Sequence, residues 1–290
     1  MGTFADYVAL AKPRITVMVL GTAGLGLYMA PLPAKSTGLG SGAMLGVLLG
    51  TVLIVASANA LNMYIEREID GRAARTRRRP LPAGRLNPAG ALGFGALLGL
   101  LALPMLWLSS NFLTALLGLI AFLIYVAVYT PMKQMSPGAL VVGAVPGAIP
   151  PLMGWTAVTG QLDLGGLTLF AIMFLWQLPH FLAISLYRMT EYRQAGYKVT
   201  ATEHGIDTAK LQIILYLLAL LPVTLVLVPL GLGGQLYLWT ALGAGLLFIA
   251  LGLSGLRRGS GPRWARSLFS GSLLYLLALA TALVVDKAIG

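Results

Sequence analysis

The chain alternates long apolar blocks with short polar connections, and the blocks set its architecture. Nine of them run over about 15–31, 42–65, 88–109, 111–130, 138–158, 165–187, 209–231, 233–256 and 268–286. Each is about 17–25 residues long, enough for a helix rising 1.5 Å per residue to cross a hydrocarbon core of roughly 30 Å. Lipid offers backbone groups no hydrogen-bond partner, so such blocks are predicted to be helical. The pattern predicts an all-α integral membrane protein, one membrane domain over 1–290 built as a bundle of nine transmembrane helices. Two polar segments, 66–87 and 188–208, interrupt it at length, and both follow even-numbered blocks.

Composition agrees: 58% of the 290 residues are hydrophobic and 10% charged, where a soluble domain carries about 25% charged residues. The chain has no cysteine, which excludes disulfides, thiolate catalysis and cysteine-ligated metals. Of the 20 Lys and Arg residues, all but Lys35 and Lys287 fall at the N-terminus or after blocks two, four, six and eight. Cytoplasmic loops are enriched in these residues, so the N-terminus is expected in the cytoplasm and the C-terminus outside. Topology and anionic lipid account for the net charge of +11 without a nucleic-acid partner. The first block reads as a span, not a cleavable signal, and the lack of a presequence favours the plasma (inner) membrane.

Topology does not account for the acids. Asp6, Glu66, Glu68, Asp70, Glu191, Glu203 and Asp207, seven of the nine, fall on the same face as the cations. Asn59, Asn62, Glu66 and Asp70 recur every three or four residues, which puts them on one helical stripe. Oxygen ligands without imidazole or thiolate suit Mg²⁺, which keeps several waters and completes its shell with substrate phosphates. The run Arg72, Arg75, Arg77, Arg78, Arg79 follows directly, and guanidinium forks match phosphate oxygens. A plainer alternative is a helix end whose acids pair with neighbouring arginines, and Arg77 and Arg78 read that way. Farther on, His180, Ile184, Tyr187 and Glu191 also share a stripe. A lone histidine there is as readily a buried hydrogen-bonding group as a ligand.

Asn62-x-x-x-Glu66-Arg67-Glu68-Ile69-Asp70 and Arg75-Thr76-x-x-Arg79-Pro80-Leu81-Pro82 resemble the signature of the UbiA superfamily of intramembrane prenyltransferases. The likeness is greatest to its protohaem IX farnesyltransferase branch. It extends to Leu10-Ala11-Lys12-Pro13-Arg14, Tyr129-Thr130-Pro131-Met132-Lys133, the Gly/Pro-rich stretch Gly143–Trp155 and Trp176-Gln177-Leu178-Pro179-His180-Phe181. The chain departs from the pattern in having Glu66 and Glu68 where aspartates are usual, and in Thr190, which leaves Glu191 as the one acid of the second motif.

The resemblance implies Mg²⁺-dependent transfer of a farnesyl group from farnesyl diphosphate to a vinyl group of protohaem IX (haem B), giving haem O. Asn62, Glu66, Asp70 and Glu191 would be catalytic, with Glu66, Asp70 and Glu191 on the metal. Asn59, Arg67, Arg75, Arg79, Tyr129, Lys133, Trp176, His180, Tyr187, Arg188 and Lys198 would bind substrates. Tyr64, Tyr125, Tyr129 and Trp176 offer aromatic faces to an allylic cation. A haem-modifying or oxidase-assembly protein is the partner such a product implies, beside the lipid bilayer. The rival readings are a relative using a quinone precursor or chlorophyllide as acceptor and, more remotely, a transporter. Against the transporter, the charges cluster at one face and not at midplane.

Overall fold

The computed structural model describes residues 2–31, 39–74 and 76–289, so Lys35 and Arg75 lie outside the described residues. Among those described, the structure is helical, without strands. In chain order the helices are α1 Phe4–Leu10, α2 Pro13–Met29, α3 Ser41–Ile65, α4 Arg67–Asp70 and α5 Pro88–Ser109. They continue as α6 Phe112–Met132, α7 Ala139–Thr159, α8 Leu164–Tyr187, α9 Met189–Gln194, α10 Thr200–Glu203, α11 Ile206–Leu225, α12 Gln235–Leu253 and α13 Pro262–Ile289. Eight of these are long and apolar enough to span a bilayer, and α1 with α2, bent by 49° at Ala11–Lys12, is a ninth candidate when the pair is taken as one span.

The predicted blocks therefore hold, with two shifts. The seventh ends at Leu225, well before 231. Pro229 has no N–H to continue a helix, and Gly231 turns left-handed at φ 71°. The ninth begins six residues before 268 because Pro262 is pre-shaped for a first helical turn.

Helices α7 and α8 sit at the centre and join two groups, α2, α3, α5 and α6 on one side and α11, α12 and α13 on the other. In lipid such packing rests on close backbone approach more than on a hydrophobic drive. Helices α2 and α7 show it: a methyl group on Gly26 would strike the Pro151 carbonyl, and one on Gly154 would strike the Ala23 carbonyl. The prolines of α7 (Pro146, Pro150, Pro151) are accommodated inside the helix. Helix α1 lies against the polar face, held by a Thr3–Asp6 capping box, the Arg85–Asp6 ion pair at 2.9 Å and the Tyr7–Phe94 ring contact.

Candidate active site

The acid stripe keeps its register although the helix breaks. Glu66 adopts φ −85°, ψ 3°, ending α3. Glu66 N–H still donates to the Asn62 carbonyl at 2.9 Å, and Asp70 N–H to the Glu66 carbonyl at 2.8 Å. Asn62, Glu66 and Asp70 thus stack on one side, exposed by only 1%, 3% and 1%. Glu68, off the stripe, stays in solvent beside Arg67.

Buried carboxylates require partners, and these arrive from other segments. Thr76 Oγ1 donates to the Asp70 carbonyl at 2.7 Å, folding the chain back so that Arg79 reaches Asp70 Oδ2 at 2.5 Å. Lys133, just past α6, donates to Glu66 Oε1 at 2.8 Å while its ammonium sits 4.5 Å from the Tyr129 ring centroid. Its carbonyl accepts from Lys198 N–H at 2.9 Å, tying the second polar segment to the first. Burial raises the Asp70 carboxyl above the usual carboxylate range, with the Arg79 guanidinium opposing.

These groups line a cavity of about 240 Å³, together with Lys12 and Lys198 as further cations and with Glu191. Glu191 belongs to the short helix α9 and pairs with Arg188 at 3.2 Å. No three His, Asp or Glu residues converge as a ready-made metal cluster among the described residues. Mg²⁺ needs none, since one or two carboxylates with substrate phosphates suffice. Glu66 and Asp70, with the Asn62 amide, fit that donor set.

Against this cavity lies a second, apolar chamber of about 1090 Å³ walled by α2, α3, α6, α7, α8 and α13. Tyr129, Phe181 and Ile184 line both spaces. The chamber's few polar groups are placed with care. Asn59 donates to the Ala11 carbonyl at 3.4 Å and accepts from the Tyr125 hydroxyl at 3.5 Å. His180 is held between the Trp176 and Phe269 rings, each 4.8 Å away. Ser272 Oγ donates to the Phe269 carbonyl at 2.6 Å, so His180 Nδ1, 2.7 Å from that hydroxyl, is the donor of the pair. The Nε2 atom keeps its lone pair. Trp176 Nε1 donates to the Ser272 carbonyl at 2.7 Å, so one residue of α13 fixes both rings.

The structure thus brings together Asn62, Glu66, Asp70, Arg79, Tyr129, Lys133, Glu191 and Lys198 at the polar cavity, and Asn59, Trp176 and His180 at the chamber. Three expected substrate-binding residues line neither. Arg67 follows Glu66 and is therefore rotated about 100° around the helix, and it lies 4.8 Å from the Tyr64 ring centroid and donates to the Tyr64 carbonyl. Tyr64 also lines neither space. Tyr187 packs edge-on against Phe269, flanked by Arg188 and Arg266. Arg188, where the second stripe breaks at φ −111°, pairs with Glu191. Arg75 lies outside the described residues. Sequence reasoning missed Lys12, Thr76 and Tyr197 as lining residues. A proline after Lys12 was the available signal, because it disfavours helical backbone at the residue before it.

The sequence profile of the UbiA prenyltransferase family matches residues 18–279. Curated relatives include the protoheme IX farnesyltransferase of Anaeromyxobacter dehalogenans (strain 2CP-C), 50% identical over 97% of this chain and 94% of that one. Protoheme IX farnesyltransferase 1 of Bacillus subtilis (strain 168) is 38% identical over 98% and 91%. Among solved structures, a digeranylgeranylglyceryl phosphate synthase superposes with a TM-score of 0.81 at 17% identity, covering 97% of each chain. A UbiA homolog from Archaeoglobus fulgidus bound to GPP and Mg²⁺ gives 0.66 at 16% identity over 97% and 99%. The fold is that of a multi-pass membrane prenyltransferase. The chain belongs to the UbiA prenyltransferase family.

Proposed function

We propose that this protein transfers the farnesyl group of farnesyl diphosphate to a vinyl group of protohaem IX, releasing diphosphate and giving haem O after water adds. One observation carries the reading: a cavity holding two buried carboxylates and four cations abuts an apolar chamber across Tyr129. A diphosphate head and an isoprenoid tail need that combination. The chamber exceeds the roughly 300–1,000 Å³ that accommodates one drug-sized ligand, which leaves room for an acceptor beside the tail.

Ionising an allylic diphosphate builds negative charge on the leaving group, and Lys12, Arg79, Lys133 and Lys198 line the cavity that would hold it. Preoriented charge of this kind stabilises the transition state without reorganisation. Mg²⁺ would be held by Glu66 and Asp70 with Asn62, with Glu191 acting through water, and would neutralise further phosphate charge. The Tyr125 and Tyr129 rings, 5.3 Å apart, line the chamber where the allylic cation forms. Each contributes about 1–2 kcal/mol by cation–π attraction when water is excluded. The apolar walls delay quenching by water. His180, with its ring clamped, lines the space an acceptor would take.

The polar face is cytoplasmic and the membrane is the plasma membrane in this reading, because farnesyl diphosphate is charged and made in the cell interior. The product passes to a haem-modifying or oxidase-assembly protein. The test incubates membranes containing the protein with haem B, farnesyl diphosphate and Mg²⁺, and separates extracted haems by reversed-phase chromatography. A more hydrophobic haem with the mass of haem O is expected, and excess EDTA abolishes it. Prenylation of a quinone precursor with haem B untouched would replace the acceptor. Turnover undiminished by EDTA would remove the metal.

A further inference from the structure

Adding water to the farnesylated vinyl group sets the apolar chamber two tasks. A water must be held at one place in it, and a proton must leave that water. Among the described residues the chamber lining includes no Asp, Glu, Lys or Arg, and His180 is its one basic side chain.

Two acceptor atoms on α8 stand without donors. His180 gives its Nδ1 proton to Ser272 Oγ, which leaves Nε2 with a lone pair and no hydrogen-bond partner. Gln177, three residues earlier and so on the same helical face, spends its amide hydrogens on the carbonyls of Met173 at 3.0 Å and Ala144 at 3.4 Å. Its Oε1 is left unpartnered, lying over Gly147, where a methyl group would take its place. Gln177 and His180 are only 5% and 8% exposed. Yet Trp155 Nε1 is the one sealed-off, unpartnered side-chain nitrogen or oxygen among the described residues. Gln177 Oε1 and His180 Nε2 therefore keep open surface, and the chamber is the space both residues line.

Paired acceptors fit a ligand that donates twice. Water does so and keeps both its lone pairs free. Porphyrin carboxylates only accept, and an iron atom would take the imidazole and leave the amide oxygen idle. We infer that Gln177 Oε1 and His180 Nε2 hold the water that adds to the farnesylated haem, with His180 as its general base. The vinyl π pair bonds to farnesyl C1 as the bond from C1 to diphosphate breaks, which leaves a cation on the carbon beside the macrocycle. The water oxygen bonds to that carbon, and its proton passes to Nε2. Ser272 holds the ring in the tautomer that can take it. This rests on the proposed function, with haem as the acceptor.

The test gives purified protein haem B, farnesyl diphosphate, Mg²⁺ and isotopically labelled water, and resolves the extracted haems by chromatography and mass spectrometry. Wild-type protein is expected to carry the label in the hydroxyl of haem O. In His180→Leu the cation loses a proton instead. The ratio of haem O to its anhydro form, lighter by one water, is then expected to fall about 10²-fold. Gln177→Leu, which removes one hydrogen bond from the water, is expected to lower it about tenfold. The ratio counts only molecules whose carbon–carbon bond has formed, so impaired folding or substrate binding does not move it. An unchanged ratio in either variant overturns the inference. So does a monodisperse His180→Leu protein that binds haem B and makes neither product. A shifted Soret band of haem B bound to His180→Leu overturns it too, by assigning the lone pair to iron. Wild-type protein that yields no farnesylated haem overturns the proposed function itself, and this inference falls with it.

Discussion

Glu66 and Asp70 are expensive residues for a fold to keep. A buried ion pair is often no more stabilising than well-packed apolar side chains of the same size, because desolvation offsets the attraction. Their partners Lys133 and Arg79 remain 18% and 22% exposed, so those cations keep some water if a carboxylate is neutralised. Glu66→Gln and Asp70→Asn are therefore expected to fold and insert, yet to lose activity by roughly 10²–10³-fold, the usual effect of removing one preoriented electrostatic group. Turnover by the purified variants, beside their elution from a sizing column, checks this. Wild-type rates in both would remove these carboxylates from the chemistry. At this scale the sequence was legible wherever position along a helix decides direction. The four-residue spacing of Asn62, Glu66 and Asp70 survived the helix break because the backbone hydrogen bonds did. Cations were harder to read. Arg67 stands next to Glu66 and points elsewhere, and Arg188 pairs with Glu191 without lining the cavity, whereas Lys12 meets Asn62 across 50 residues of chain.

Among the elements, α7 shows how composition becomes a cavity. Its glycines seat neighbouring side chains and backbone: Gly143 faces the Tyr129 ring, Gly147 the Gln177 amide and Gly154 the α2 backbone. The first two contacts shape the chamber wall, and the third fixes how closely α2 approaches. Gly154→Val would press a branched side chain against the Ala23 carbonyl, an overpacking that costs about 1–3 kcal/mol. A lower melting temperature in detergent and reduced turnover are expected together, since α2 also walls the chamber. Gly93→Ala, where a methyl group meets nothing within 4 Å, serves as the control and should leave both unchanged. Equal melting of the two variants would show that the crossing tolerates separation. Element lengths were readable from apolar runs, because the bilayer sets them. The widened π-helical turn at Ile124–Tyr129 was not. It lies where Tyr125 and Tyr129 face the chamber, and no local pattern announces a one-residue change of helical register.

The molecule as a whole is asymmetric in charge, and that asymmetry makes its orientation testable apart from its chemistry. Every polar segment of the candidate site lies on the face that also carries α1, the ends of α3, α6 and α8, and the start of α11. At the C-terminal end of α13, Lys287 bonds to the carbonyls of Tyr28 and Ala30 at the end of α2, the end of that helix away from Lys12 and the polar cavity. Positive segments resist translocation, and a diphosphate substrate reaches only the face open to the compartment that makes it. Both arguments predict the same sidedness from independent physics. Alkaline phosphatase, active only outside the cytoplasm, should be active when fused after Ile289 and inactive when inserted in the exposed turn at Gly84, where φ is 68°. Green fluorescent protein, which folds in the cytoplasm, should give the converse. The reversed pattern would leave the helical bundle intact, but it would strand the carboxylates and lysines on a surface that farnesyl diphosphate does not reach.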